Sequence, residues 1–281
     1  MSPASQPEEM VCWACGVRAV PFRGLEPIAF YRCGKCGLVF QPFRTSVETA
    51  QTHDEDYFAT YAQGRPYVRD LRSRELESER RAEFVARFVP DGRLLEVGSA
   101  GGFFLAAAQK RGFETLGVEP EAAMARAASE AFGVHVLTTT IEHAVLPKRA
   151  FAGACAWHTL EHIVNPAASL ARIRAALEPD GYFFAEVPNI DSVRARRERA
   201  RWRLLDPEHH VAQYGPTSLG VLLERCGFSV LMLETIPWGR YKPLARAALS
   251  YAKHALITHR SPFGSHPWRH ELLRAVARVS R

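Results

Sequence analysis

Four of the six cysteines fall in two pairs, Cys12 with Cys15 and Cys33 with Cys36, and 17 residues separate the pairs. Two thiols at this spacing can grip one ion from a single tight turn. Two such turns complete a four-sulfur tetrahedron, which leaves no open position and so describes a structural zinc site. Gly16 and Gly37 follow the two pairs directly and supply the permissive backbone these turns favour. The start, MSPASQPEEM, has neither a basic segment nor an apolar run, so no signal peptide is expected and the chain reads as cytoplasmic. In that setting paired cysteines indicate metal rather than disulfides. Cys155 and Cys226 stand alone in apolar segments and read as buried core thiols.

A second group has the residue types of a nucleoside-binding turn. In LLEVGSAGG, an apolar run ends in Glu96 and Val97 and enters a turn of Gly98, Ser99, Ala100, Gly101 and Gly102. Glycines here let a ligand approach the backbone, and the acid at the strand end can hold a polar or cationic group. Another acid, Glu119, lies 21 positions after Gly98 at the end of the next apolar run, where a carboxylate can take ribose hydroxyls. The third group is HTLEH, with His158, Glu161 and His162 after the apolar run FAGACAW; His209 and His210 form a pair further on. HTLEH also spells an inverted zinc-protease motif, but that chemistry needs a sustained helix, and this segment leaves a strand and soon meets Pro166.

The elements that must position these groups alternate regularly. RLLEVG, FETLGVE, VHVL, FAGACAW, YFFAEVP and FSVLMLE read as strands. FFLAAAQKRG, EAAMARAASEAFG, a segment near 166–177 and TSLGVLLERCG read as helices. This rhythm predicts an α/β fold, a Rossmann-like, mostly parallel sheet with helices on both faces, preceded by a small zinc ribbon. The expected divisions are a ribbon over 1–43, a linker and helical region over 44–90, the core over 91–237 and C-terminal amphipathic helices over 238–281. Hydrophobic residues make up 47% of the 281, enough for a packed core.

With these motifs in place, LLEVGSAGGFFL, GVEPE, FAGACAWHTLEHIVNP, LEPDGYFFAEVPN and HVAQYGPTSLGVLLERCGF resemble, in order and spacing, the successive motifs of class I S-adenosylmethionine-dependent methyltransferases. The cysteine segment resembles the zinc module fused to some of them, including sugar and polysaccharide methyltransferases. The resemblance implies S-adenosylmethionine as cofactor, with Glu96 and the 98–102 turn toward its methionine part and Glu119 and Pro120 at the ribose. It further implies that Ile141 and its neighbours flank the adenine, and that Trp157 and His158 lie beside the sulfonium. Two positions depart from the family: Ala152 stands where an Asp is common, and Ala100 where a glycine is. Methyl transfer needs alignment first and a base second. The candidates for that base are His158 and His162, then His210, whose segment matches a recurrent His of the family. Glu161 with His162 would otherwise fix the loop by a mutual hydrogen bond.

Partners follow from charge. The net charge is +6, with arginines gathered in SVRARRERARWRLL (192–205), which reads as a helix able to meet an anionic acceptor. A small-molecule acceptor is the first reading: a sugar, a polysaccharide precursor or a secondary metabolite. An RNA acceptor held by the ribbon and the basic surface is the second, although the chain has no D/N-P-P-Y motif. A non-catalytic zinc-ribbon interaction protein is the third. Segments 243–257 and 268–281 read as amphipathic helices with basic faces, able to dock on the core or to touch an anionic membrane surface. In the second, Trp268, Leu272, Val276 and Val279 form the apolar stripe, and Arg274 falls off it. No final antiparallel strand is evident after Pro237.

Overall fold

The computed structural model describes residues 9–23, 25, 29–42, 71–237 and 270–280. The helix expected over 243–257 lies outside them. Four short strands open the chain: β1 (Met10–Val11), β2 (Arg18–Pro21), β3 (Tyr31–Cys33) and β4 (Val39–Phe40). Helix α1 (Leu71–Val85) leads into alternating units: β5 (Arg93–Val97), α2 (Phe103–Gln109), β6 (Glu114–Glu119), α3 (Ala122–Phe132), β7 (Val136–Thr138) and β8 (Phe151–Trp157). They continue with α4 (Ala167–Ala176), β9 (Leu177–Pro188), α5 (Val193–Glu198), β10 (Ala212–Gln213), α6 (Pro216–Arg225), β11 (Phe228–Ile236) and β12 (Leu272–Val279).

The main sheet has seven strands in the order β11-β12-β9-β8-β5-β6-β7. From β9 to β7 all neighbours are parallel, as the strand–helix rhythm predicts. Burial follows the chemistry of each element. In α3, Met124, Ala125 and Ala128 form the inward stripe, Glu121 caps the start by accepting from the Met124 amide at 2.7 Å, and Gly133 ends it at φ 67°. No helix among the described residues is long and apolar enough to cross a membrane.

Two expectations change. Residues 272–279 are not an amphipathic helix but β12, antiparallel to both β9 and β11 and lying between them. LLRAVARV alternates: Leu273, Ala275 and Ala277 pack into one core cluster, while Leu272, Arg274 and Val276 turn to the other face. The four-residue spacing from Leu272 to Val276 fits a strand as well as a helix, and the sheet supplies a slot with partners on both sides. The sheet edge is therefore complete and not unusual. In addition, the arginine-rich segment is helical only over α5, then breaks into two single 3₁₀ turns, Arg199–Arg201 and Arg203–Leu205.

The ribbon is not a detached module. Its antiparallel sheet runs β1-β2-β3-β4-β10, so the last strand belongs to the core. Gln41 donates to the Pro207 carbonyl at 2.7 Å, and Arg225 donates to the Ala14 carbonyl at 2.6 Å. Tyr31, Leu38 and Phe40 share one apolar cluster with Leu160, Tyr214 and Leu219.

A buried charge network joins α1, β8, β9 and β12. Glu186 is fully buried in β9, directly opposite Arg274 of β12. One carboxylate oxygen accepts from Arg274 Nη2 at 2.7 Å and the other from Arg81 Nη2 at 2.7 Å. Arg81 also meets Glu77 at 2.7 Å and lies over the Trp157 ring, while Arg274 lies over the Phe84 ring. Burial alone would raise the Glu186 carboxyl, but Arg81, His158 and Arg274 hold it far below the usual carboxylate range. Removing one partner strands the others in the core. Arg274→Met should therefore lower the free energy of unfolding by about 3–5 kcal/mol in urea titrations; a loss under about 1 kcal/mol would show that the network does not hold the sheet.

Candidate functional site

The glycine-rich turn leaves the end of β5 in the middle of the sheet and opens α2. Gly98 has φ 72°, and a Cβ there would lie 2.6 Å from the Thr159 hydroxyl oxygen. Thr159 in turn donates to the Val97 carbonyl at 2.9 Å, so the turn and the segment after β8 are pressed together. Gly102 has φ 73°, and a Cβ there would collide with Ala128 of α3. Glycine at both positions permits the turn its shape and its close packing. Ala100 adopts φ 42° without glycine, and its amide donates to Glu119 at 2.8 Å.

Around this turn lie buried polar atoms without a hydrogen-bond partner among the described residues. They are Glu96 Oε2, the Ser99 hydroxyl and the Trp157 indole nitrogen. Burial pushes Glu96 well above the usual carboxylate range, against the pull of Arg81. Such atoms are costly to leave unbonded. Groups of these types could take the amino, carboxyl and hydroxyl groups of an amino-acid nucleoside. Glu119 ends β6 beside them, also buried; its carboxylate receives the amides of Ala100 and Glu121. Burial raises it to about 7, only partly offset by those two amides. Pro120 follows it at the surface, and Ile141 is buried beyond β7, its carbonyl held by Arg172 at 2.9 Å.

After β8 the backbone turns through His158 at φ 55°. Its amide donates to the Glu186 carbonyl at 2.8 Å. Its two ring nitrogens face carboxylates, Nδ1 to Glu161 and Nε2 to Glu186, each at 3.4 Å. Burial disfavours the charged ring, but these two acids outweigh it and hold His158 up at about 9. A ring already protonated and flanked by acids suits fixing the loop better than receiving a proton. His162 and His210 come together, with ring centroids 4.8 Å apart. His162 Nδ1 donates to the His209 carbonyl at 3.1 Å, and His210 Nδ1 to the Leu204 carbonyl at 2.9 Å. His209 instead pairs with Asp206 at 2.8 Å. Glu161 is buried beside the first two and beside Tyr214, whose hydroxyl donates to the Leu160 carbonyl.

The structure thus gathers Glu96, Glu119 and the 98–102 turn on one side and Glu161, His162 and His210 on the other. Arg81, Glu186 and Arg274, which the sequence reading did not single out, lie between α1, β8 and β12. An acid inside the apolar run YFFAEVP was the available sign, since carboxylates are almost never fully buried without a partner. The four ribbon cysteines also converge. Cys12 and Cys36 sulfurs lie 3.5 Å apart, Cys15 and Cys33 3.3 Å, and all four fall within 4.8 Å of one another. That set is compatible with a zinc tetrahedron. A hydrogen bond from Cys36 holds the Cys12 thiol down to about 5, against burial. Of the two lone cysteines, Cys155 is buried but Cys226 is half-exposed, so only the first is a fully buried core thiol.

The parallel sheet, the antiparallel β12 and the nucleoside turn define the class: an S-adenosylmethionine-dependent methyltransferase. Residues 67–233 match the family model described as a methyltransferase domain, and the chain belongs to that family. No curated protein matches the chain. Among solved structures it resembles an S-adenosylmethionine-dependent methyltransferase from Thermotoga maritima, with TM-score 0.56, 20% identity and coverage of 76% of this chain and 94% of that one. It also resembles the 1,6-didemethyltoxoflavin-N1-methyltransferase of Burkholderia thailandensis, with TM-score 0.57, 17% identity and coverage of 93% and 99%. A further likeness is to an S-adenosylmethionine-dependent methyltransferase from Archaeoglobus fulgidus, with TM-score 0.54, 20% identity and coverage of 73% and 94%. At these identities the likenesses establish the fold.

Glu119 yields a pH test. In the cofactor-free protein its carboxyl is protonated below about 7, and a protonated carboxyl accepts ribose hydroxyls less well. S-adenosylhomocysteine affinity measured by calorimetry should therefore fall as pH drops through 7. Glu119→Gln should lose roughly 1–3 kcal/mol of binding at pH 8 and flatten the profile. An unchanged profile in the folded variant removes Glu119 from the ribose.

Proposed function

We propose that this methyltransferase transfers the methyl group to a small molecule, such as a sugar, a polysaccharide precursor or another secondary metabolite. The observation that carries this is the recessed acceptor side. Glu161 is 1% exposed and His210 8%, so two of the three groups gathered there lie in the interior, where a compact acceptor fits better than a polynucleotide. The ribbon adds little free positive charge for RNA, since Arg18 pairs with Glu9 and Arg32 faces Asp191. The Burkholderia structure holds 1,6-didemethyltoxoflavin together with S-adenosylhomocysteine, and a small acceptor there agrees with this reading.

In this reading Glu96, Ser99, Gly98 through Gly102 and Glu119 hold the cofactor, and Trp157 and His158 line its methyl end. His158 positions the loop, and Glu161, His162 and His210 meet the acceptor. His162→Ala and His210→Ala should each lower turnover by about 10²–10⁴-fold while S-adenosylhomocysteine affinity stays within about twofold. Tritiated methyl from the cofactor should enter the small-molecule fraction of a cell extract. Label confined to RNA, or near-normal turnover in the double variant, would overturn the assignment.

The four cysteines, in the same reading, hold one structural zinc that steadies β3 and β4. Through the β4–β10 pairing and Gln41 it also steadies the segment that carries His209 and His210. Cys33→Ser should lose that zinc and speed amide hydrogen exchange over 203–214 as well as over the ribbon. Exchange unchanged in 203–214 would show that the ribbon is a passive appendage.

A further inference from the structure

Glu161, His162 and His210 have a feature that methyl transfer alone does not explain. One ligand atom from each lies within 4.8 Å of the others. First-row ions bind nitrogen and oxygen at about 2.0–2.2 Å, which sets ligand atoms roughly 3–4 Å apart, so small side-chain rotations close the set. Glu161 is 1% exposed, yet neither of its carboxylate oxygens has a hydrogen bond among the described residues. The His158 ring, at 3.4 Å, is an ion-pair contact too long to satisfy them. The protonated His158 ring balances part of its charge, and a carboxylate this deeply buried with neither oxygen hydrogen-bonded can take a second cation at close range.

The histidines are prepared for the same ligand. A carbonyl can only accept, so the bonds to His209 and Leu204 place the proton of each neutral ring on Nδ1. The lone pair of each ring then sits on Nε2, the nitrogen a metal would take, and the carbonyls are the kind of outer partner that orients metal-binding imidazoles. His162 is half-exposed, whereas Glu161 and His210 are buried. The set is therefore closed on one side and reachable from the other.

We propose that Glu161, His162 and His210 bind a divalent first-row transition ion, a second metal site distinct from the four cysteines. Three protein ligands leave coordination positions for an oxygen of water or acceptor. This deepens the reading of a small acceptor by favouring a hydroxyl. The ion lowers the hydroxyl's pKa, its proton leaves to solvent, and the oxygen then forms the bond to the methyl carbon. The carbon–sulfur pair returns to sulfur, which departs as a neutral thioether.

The test is metal stoichiometry of the full, untagged chain, stripped and titrated with Co²⁺ or Zn²⁺. Two equivalents should bind. The four-cysteine ion should show intense thiolate charge-transfer bands in cobalt, and the other only weak visible bands of nitrogen and oxygen ligation. Glu161→Gln and His210→Gln should each drop the total from two to one and leave the thiolate bands intact. Should those variants fail to fold, the cobalt spectrum of the unaltered chain decides by the presence or absence of the second set of bands. Saturation at one equivalent with thiolate bands alone, or a second equivalent that persists in both folded variants, would overturn the proposal. S-adenosylhomocysteine binding, measured separately, reports on the methyltransferase reading whatever the metal count.

Discussion

One carboxylate in the centre of the sheet, Glu186, is held ionised by three surrounding cations, and much of the molecule is arranged to keep it so. Arg81 comes from the helix before the core, Arg274 from the last described strand, and His158 from the loop that borders the cofactor turn. The two arginines are buried and His158 is partly so, and each arginine would be costly there without the acid. The contact thus ties the outer helix, the inserted strand and the active loop to one point. It also fixes the backbone that follows. With His158 anchored by ring and amide, Thr159 reaches Val97, and Glu161 and His162 are delivered beside His210.

The proposed cofactor side and the proposed acceptor side draw on different residues. Glu96 and Glu119 are acids pushed upward by burial, in a turn rich in glycine. Glu161 is an acid beside two imidazoles. Acids held in place before the reaction suit a cofactor that arrives with a cationic sulfur and leaves neutral. The fixed dipoles and charges need little reorganisation during the transfer.

Much of this was legible in the residues themselves. Cysteine spacing, the strand–turn–helix around Gly98 and the acid closing the next strand are local patterns, and each was found where it was expected. What escaped was non-local. LLRAVARV carries apolar residues at a spacing that suits two kinds of element, and only the slot between β9 and β11 decides between them. Arg274 looked like a solvent-facing charge because its partner is 88 residues away in sequence. The joint between ribbon and core rests on β10, a strand of two residues, too short to leave a pattern. Nor does sequence alone reveal that both ring nitrogens of His158 face acids, which depends on the register of β9 beside β8.

The pairing of Phe40 with Ala212 has a consequence for the order in which the chain takes shape. The first four ribbon strands leave the ribosome before the core, with β4 as an open edge, and its partner strand is not made until some 170 residues later. Through most of synthesis that edge offers unpaired amides and carbonyls to any passing strand. Only the shortness of β4, two residues, limits the hazard. Completing the ribbon is therefore a late event that waits on the core, and loop closure over so long a span makes it slow. Nascent chains of this protein would be most exposed to mispairing in the interval between synthesis of those two strands.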